Sequence, residues 1–295
     1  MTTTNLRIGV IGVGFGTKVH VPAFQSEGVE VVALCARRPE SVERAAGELG
    51  IRHVYTDYRE MLRQGGLDAV SIATPTAFHH EMVMEALAAG KHVLCEKAFA
   101  MDQGQAREMW QKADQTGLTG MVAHEFRFAP ARAYVKELLQ QGYVGDIRTV
   151  HTTLFMGSTR SPRPRPMTWG SQASQGGGFL KALGSHYIDG LFDWFCDITR
   201  VCGSTFVHDS ERVDPVSGQR LSADTDEAFA FLANFQNGGW GSMSGSSAAP
   251  FGTGAMIQIF GTQGTLQTPQ RGVNPRSDGI VLGARLGGGQ GVQEL

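Results

Sequence analysis

The run Gly12-Val13-Gly14-Phe15-Gly16-Thr17 grows out of the apolar stretch 6–13 and leads into a helical pattern. Glycines at this spacing, between a strand and a helix, mark a dinucleotide-binding βα turn. Gly12 permits the tight turn and Gly14 lets backbone amides approach a pyrophosphate. The helix N-terminus presents its positive dipole end to the same group. The third glycine of the motif is displaced, since Thr17 holds that position and glycine stands at 16. Gly12, Gly14, Phe15, Gly16 and Thr17 are therefore expected to hold the cofactor. Which cofactor is read at the end of the second strand. A carboxylate there bonds the ribose 2′-hydroxyl of NAD, whereas arginine accommodates the 2′-phosphate of NADP. The segment is Leu34-Cys35-Ala36-Arg37-Arg38-Pro39, with two arginines and no acid. Guanidinium groups meet phosphate oxygens bidentately, so Arg37 and Arg38 favour NADP over NAD. The plainer alternative is a pair of solvated loop arginines.

The βα pattern continues through the first half. Short apolar runs at 6–13, 30–36, 53–55, 69–73, 92–95 and 119–123 read as strands buried on both faces. Helical periods lie between them at 41–49 and 80–89, the second closed by Gly90. Such alternation implies parallel pairing through right-handed crossovers. Beyond residue 123 the grammar changes. A helix is expected over 131–141 and a long strand over 147–156, followed by a proline-broken basic loop containing Arg160, Arg163 and Arg165. These arginines could attract an anion, although solvation is the simpler account. The glycine run 176–178 opens a helix to about residue 195. Strands follow at 204–208, 228–235, 240–246, 256–260 and 265–267, with a hairpin signal at Gln236-Asn237-Gly238-Gly239. The segment 287–291 has too little to bury and is expected to fray.

At 295 residues, two domains are the default. The boundaries fall at 1–123 for an α/β domain and 124–295 for an α+β domain with a large, mostly antiparallel open sheet. The alternation of Phe229, Phe231 and Phe235 beside the small-residue strand at 241–247 suggests that this sheet covers its second face with another subunit, as a homodimer or homotetramer. With 26 basic and 28 acidic residues the formal net charge is -2, which gives no electrostatic reason to expect nucleic acid. No run approaches the ~18 apolar residues of a membrane helix, and residues 1–5 do not read as a signal peptide. Four cysteines at 35, 95, 196 and 202 form no metal or disulfide spacing. A soluble cytoplasmic protein without a structural metal is expected.

Several motifs then line up in order. They are Ala73-Thr74-Pro75-Thr76-Ala77-Phe78-His79, Ala89-Gly90-Lys91-His92-Val93-Leu94-Cys95-Glu96-Lys97, Phe126-Arg127-Phe128-Ala129-Pro130, and Gly176 through His186 to Asp189. Together with residues 8–20 they resemble the glucose-fructose oxidoreductase/inositol dehydrogenase/MocA family, over residues 6 to about 267. The resemblance implies an N-terminal Rossmann domain and a C-terminal domain whose open sheet commonly mediates oligomerisation. It implies hydride transfer between NAD(P) and a hydroxyl-bearing carbon of a sugar, cyclitol or related small molecule. Glu96-Lys97 matches the family's Glu-Lys-Pro motif, so Lys97 would hydrogen-bond the reacting oxygen. His186 matches the histidine that takes or returns the hydroxyl proton, a role suited to an ordinary imidazole pKa near 6.5. Thr74, Pro75 and His79 would line the cofactor's ribose region. Without the resemblance, Lys97 would read as solvated and His186 as structural. Arg127 and Trp169 are candidate substrate contacts, with a salt bridge and core packing as their plainer alternatives.

The chain departs from the pattern at two places. The aspartate four positions before the histidine is Ala182 here, which leaves Asp189, on the same helical side, as a substitute to orient His186. The proline after Glu96-Lys97 is Ala98. A cis peptide without proline costs about 2.5–4 kcal/mol, so the loop carrying Lys97 is expected to sit differently. The family also continues with further structure after 265–267. The alternative function is a nucleotide-binding regulator of the same fold that has lost turnover, and Ala182 is the feature that favours it.

Overall fold

A computed structural model describes residues 6–157, 164–195, 197–289 and 291–295, so Arg160, Arg163 and Cys196 lie outside the described residues. The chain divides into two units. The first comprises the described residues up to Ala123 together with Ser174–Gly176. The second comprises His124–Ala173 and Gly177–Leu295.

The first unit holds strands β1 (Arg7–Ile11), β2 (Glu30–Cys35), β3 (His53–Tyr55), β4 (Ala69–Ile72), β5 (His92–Glu96) and β6 (Gly120–Ala123). Helices α1 (Val21–Ser26), α2 (Pro39–Leu49), α3 (Tyr58–Gln64), α4 (His79–Ala88) and α5 (Gln103–Thr116) connect them. Strand order is β3-β2-β1-β4-β5-β6, with every pair parallel. This is the doubly wound dinucleotide fold, whose order reverses between β1 and β4. The inner strands β1, β2, β4 and β5 lack a polar face because alternate residues feed two cores. Val10 and Leu34 pack with Val42 and Ala46 of α2, while Ile11, Ala33 and Cys35 pack with Met61, Val83 and Leu87. One helix escapes the hydrophobic pattern. Helix α5 buries only Met109 and is delimited by its ends, an Asp102 cap accepting from the Gln105 amide (2.9 Å) and Gly117 in the left-handed region. Helix α3, seven residues long and capped by Asp57, buries Tyr58, Met61 and Leu62 on one face.

The second unit contains α6 (Pro130–Gln140), β7 (Ile147–Phe155), β8 (Arg165–Pro166), α7 (Ser185–Trp194), β9 (Ile198–Phe206), β10 (Glu211–Val213) and β11 (Arg220–Ser222). Then come β12 (Ala228–Phe235), β13 (Trp240–Ser246), β14 (Gly254–Gly261), β15 (Gly264–Gln270), β16 (Leu282–Arg285) and β17 (Gln293–Glu294). Eight strands form one sheet in the order β17-β16-β15-β14-β7-β13-β12-β9, and β8, β10 and β11 form a small separate one. In the large sheet only the β7–β13 pair is parallel. The core joins Val135 and Leu138 of α6 and Tyr187 and Leu191 of α7 to Phe229, Phe235, Met243, Ile257 and Ile259. The phenylalanines of β12 therefore face this core: Phe229 and Phe235 are buried in it and Phe231 packs against it. This is the face of the sheet that its own helices cover. The opposite face of β12 and β13 carries Leu232, Trp240, Ser242 and Ser244, with Leu232 56% and Trp240 43% exposed.

Candidate active site

The glycine turn leaves β1 at the point where strand order reverses. Gly12 has φ +113°, and a Cβ on it would overlap the Ala73 carbonyl oxygen. Its amide donates to Cys35 O at 2.9 Å. Gly14 is exposed, and a Cβ there would meet nothing within 4 Å, so its backbone is open to a ligand. Gly16 takes the close-packing role of the displaced glycine, for a Cβ on it would lie 2.9 Å from Val10 Cγ1. The Thr17 hydroxyl donates back to Val13 O at 2.9 Å. Phe15 is exposed. After β2, Arg37 and Arg38 are both exposed, with the Arg37 guanidinium 5.3 Å from the centre of the Phe78 ring.

Lys97 follows the last residue of β5 and is half-buried. Two buried histidines flank it, one bonded to the Glu96 side chain and the other to backbone carbonyls. His20 places Nε2 2.9 Å from Glu96 Oε1 and Nδ1 2.6 Å from the Ser71 hydroxyl. The other oxygen of Glu96 accepts the Lys97 amide at 3.2 Å. His79 lies 3.0 Å from Ala98 O and 3.3 Å from Phe99 O through Nδ1, and 2.9 Å from Thr74 O through Nε2. It is fully buried, so the expected contact between His79 and a cofactor ribose gives way to a clamp between two loops. Thr74 and Pro75 are half-buried at the end of β4. The Lys97–Ala98 peptide bond is cis, so the loop keeps the form expected of a proline at 98 instead of departing from it.

In the second unit His186 sits in the first turn of α7 and is buried. Its ring stacks on Phe126 at 3.8 Å between centroids and 8° between planes, with His124 edge-on at 5.4 Å. The Glu125 carboxylate is 3.9 Å from His186 Nε2. Asp189 does not serve as the expected substitute. It accepts Nε of Arg127 at 3.0 Å and a second bond from the same guanidinium. Arg127 lies 3.5 Å from Asp193 as well, and Lys136 donates to Asp193 at 2.7 Å. Both residues thus belong to a salt-bridge chain, the plainer alternative for Arg127, and Asp189 is paired with Arg127 rather than with His186. Trp169 is exposed at the head of the turn Trp169–Ser171, and Ala182 is exposed in the wide turn Leu180–Gly184 that leads into α7. Lys97 belongs to the first unit and His186 to the second. Among the described residues no group of His, Cys, Asp or Glu is arranged to hold a metal ion, and no helix is long and apolar enough to cross a membrane.

Comparison with known families decides the kinship. The model for an oxidoreductase family with an NAD-binding Rossmann fold matches residues 6–124, and that for the GFO/IDH/MocA C-terminal domain matches residues 133–267. The chain belongs to the GFO/IDH/MocA family. An uncharacterised oxidoreductase of Synechocystis is 34% identical over 89% of this chain and 71% of that protein. Levoglucosan dehydrogenase of Pseudarthrobacter phenanthrenivorans is 29% identical over 89% of this chain and 73% of its own length. A crystal structure of an NAD binding oxidoreductase from Klebsiella pneumoniae superposes with a TM-score of 0.87 at 28% identity, covering 99% of this chain and 80% of that one.

Within this family member, His20, Ser71 and Glu125 are the neighbours of the candidate residues that sequence reasoning passed over. His20 carried one usable signal, its place just after the glycine turn. Burial holds the pKa of His79 below the ordinary histidine value, against the opposing pull of its carbonyl neighbours and Glu96. A fold that binds this proton less tightly than the unfolded chain keeps its full stability above the ordinary value of about 6.5, and loses stability as pH falls below it. Urea unfolding should therefore show a falling midpoint between about pH 7 and pH 5. His79→Gln, which cannot titrate, should make that decline shallower; an unchanged slope would remove His79 as a cause.

Proposed function

We propose that the protein is a dehydrogenase or reductase of sugars, cyclitols or related polyhydroxylated molecules that prefers NADP, with Lys97 and His186 as its catalytic residues. The observation that carries the reading is the position of Lys97. It is half-buried at the carboxyl end of β5, the edge of an open parallel sheet where ligands bind. The open backbone at Gly14 suits a pyrophosphate. Gly12, Gly14, Phe15, Gly16 and Thr17 would hold the dinucleotide, Thr74 and Pro75 would border its ribose, and Glu96 and Lys97 would close the site. Arg37 and Arg38 would meet a 2′-phosphate. The relative that acts on levoglucosan supports a sugar-like substrate, and exposed Trp169 would offer an apolar ring to one face of it.

When bound, the nicotinamide supplies the two-electron chemistry. The protein's part concerns the proton and the charge. Removing a proton from a substrate hydroxyl builds negative charge on oxygen, and the Lys97 ammonium stabilises it. Neutral His186 accepts that proton and returns it in the reverse direction. The second reading, a regulator without turnover, rests on Ala182, which stands where the resemblance places an aspartate.

Three outcomes test these statements. In titrations of intrinsic fluorescence NADP should bind more tightly than NAD, and Arg37→Ala with Arg38→Ala should erase the difference. A preference for NAD would reject the arginine argument. With levoglucosan and a panel of glucosides and cyclitols, His186→Ala should slow kcat by roughly 10²–10⁴-fold while NADP affinity stays nearly unchanged. Lys97→Ala should lower kcat and raise KM for the sugar. Tight cofactor binding without turnover of any panel member by the wild type would favour the regulator. Finally, the face of the large sheet bearing Leu232 and Trp240 should be covered by a second copy of the chain, so light scattering at micromolar concentration should give a multiple of the 31.7 kDa chain mass. A clean monomer would exclude that interface.

A further inference from the structure

We infer that His20 is a positioning residue for Lys97, acting through the Glu96 carboxylate; the inference rests on the reading that Lys97 works on the substrate. The geometry is direct. Glu96 is buried, and a carboxylate can only accept, so His20 Nε2 must carry the proton of the 2.9 Å bond to Oε1. This holds whether the ring is neutral, with Ser71 donating to Nδ1, or cationic, with Nδ1 donating to the Ser71 hydroxyl at 2.6 Å. Oε2 meanwhile accepts the Lys97 amide at 3.2 Å. The carboxylate is therefore fixed through both oxygens, one to a ring and one to the backbone from which the lysine side chain departs. The ring itself has little freedom. Phe15 lies edge-on at 5.5 Å and Phe24 at 6.2 Å, while Ser71 is fully buried in β4.

What this adds is a physical tie between two parts of the site. His20 ends the wide turn Gly16–His20 that begins within the glycine motif, and wide turns of this kind cluster at functional positions. From there it reaches across β4 to the end of β5, 76 residues along the chain. A shift of the cofactor-binding turn is thereby transmitted to Lys97 through two hydrogen bonds. Groups behind a reacting residue commonly set its orientation and basicity in this manner.

The plain alternative is that His20 only satisfies buried polar groups. Two substitutions separate the accounts, because the amide nitrogen of glutamine reaches where Nε2 stood, and that of asparagine reaches where Nδ1 stood. His20→Gln keeps the bond to Glu96 and loses Ser71; His20→Asn keeps Ser71 and loses Glu96. Both leave one buried group without its partner, so both should lower the melting temperature to a similar degree. The positioning role predicts that kcat falls by about 10- to 100-fold in His20→Asn and by less than about 3-fold in His20→Gln, with cofactor KM changed little in either. Equal losses in kcat, or none, would overturn it.

A second readout needs no turnover. Reductive methylation with ¹³C labels the six lysines, and Lys97→Arg assigns the resonance of Lys97. That resonance should move in His20→Asn and stay in place in His20→Gln. If wild-type protein turns over no sugar, the proposed function fails, yet an unmoved Lys97 resonance in His20→Asn would still refute the tie on its own. Should His20→Asn not fold, Ser71→Ala, which retains the bond to Glu96, must leave the Lys97 resonance where it is; a displaced signal there would also overturn the inference.

Discussion

The passage of Gly12 beneath the Ala73 carbonyl is the constraint on which the first unit depends. Any side chain at 12 would occupy the space of that oxygen, and φ +113° is a conformation that glycine alone adopts readily. Three strand ends meet there. Gly12 N–H donates to Cys35 O of β2 at 2.9 Å, and Ala73 N–H donates to Ile11 O of β1 at 2.8 Å. With β1, β2 and β4 locked at their carboxyl ends, the following turn has one course open to it. Gly16 can then lie against Val10, and Thr17 can fold its hydroxyl back onto Val13. His20 arrives at Ser71 and Glu96 as the consequence.

That dependence explains which parts were legible in the sequence. The inner strands β1, β2, β4 and β5 announce themselves because burial on both faces demands unbroken apolar runs. The edge strands β3 and β6 are largely exposed, against the expectation that they too are buried on both faces; each observed strand still lies within or beside its expected run. Helix α2 was readable from its stripe, buried at Val42 and Ala46. Helix α5 was not, because its one buried residue, Met109, leaves no stripe to detect, and only Asp102 and Gly117 signal its ends. Strands β8, β10 and β11 are two or three residues long and carry no period at all.

The candidate site divides along the same line. The glycine turn is local chemistry, so motif spacing reports it. The partners of its neighbours are not local. Nothing in spacing says that His20 will find Glu96, or that Arg127 will claim Asp189 from 62 residues away. The i, i+3 relation did place Asp189 on the side of His186, but proximity along a helix face is a weak bond beside a bidentate guanidinium pair. The stronger partner won, and Glu125 stands as a carboxylate beside the ring.

The second unit orients its histidine by packing. His186 lies flat on Phe126, and Phe126 in turn borders Arg132, whose guanidinium sits 5.4 Å from that ring and 4.2 Å from the ring of Tyr187. Arg132 is wholly buried, and desolvation pushes its pKa below the ordinary arginine value. Aromatic faces compensate such a cation only in part, so the arrangement persists because α6, α7 and the segment around Phe126 are close-packed and cannot relax separately. A ring plane fixed in this way does not require a carboxylate on the preceding turn to hold it. Ala182 therefore leaves in place the packing that holds the ring plane of His186.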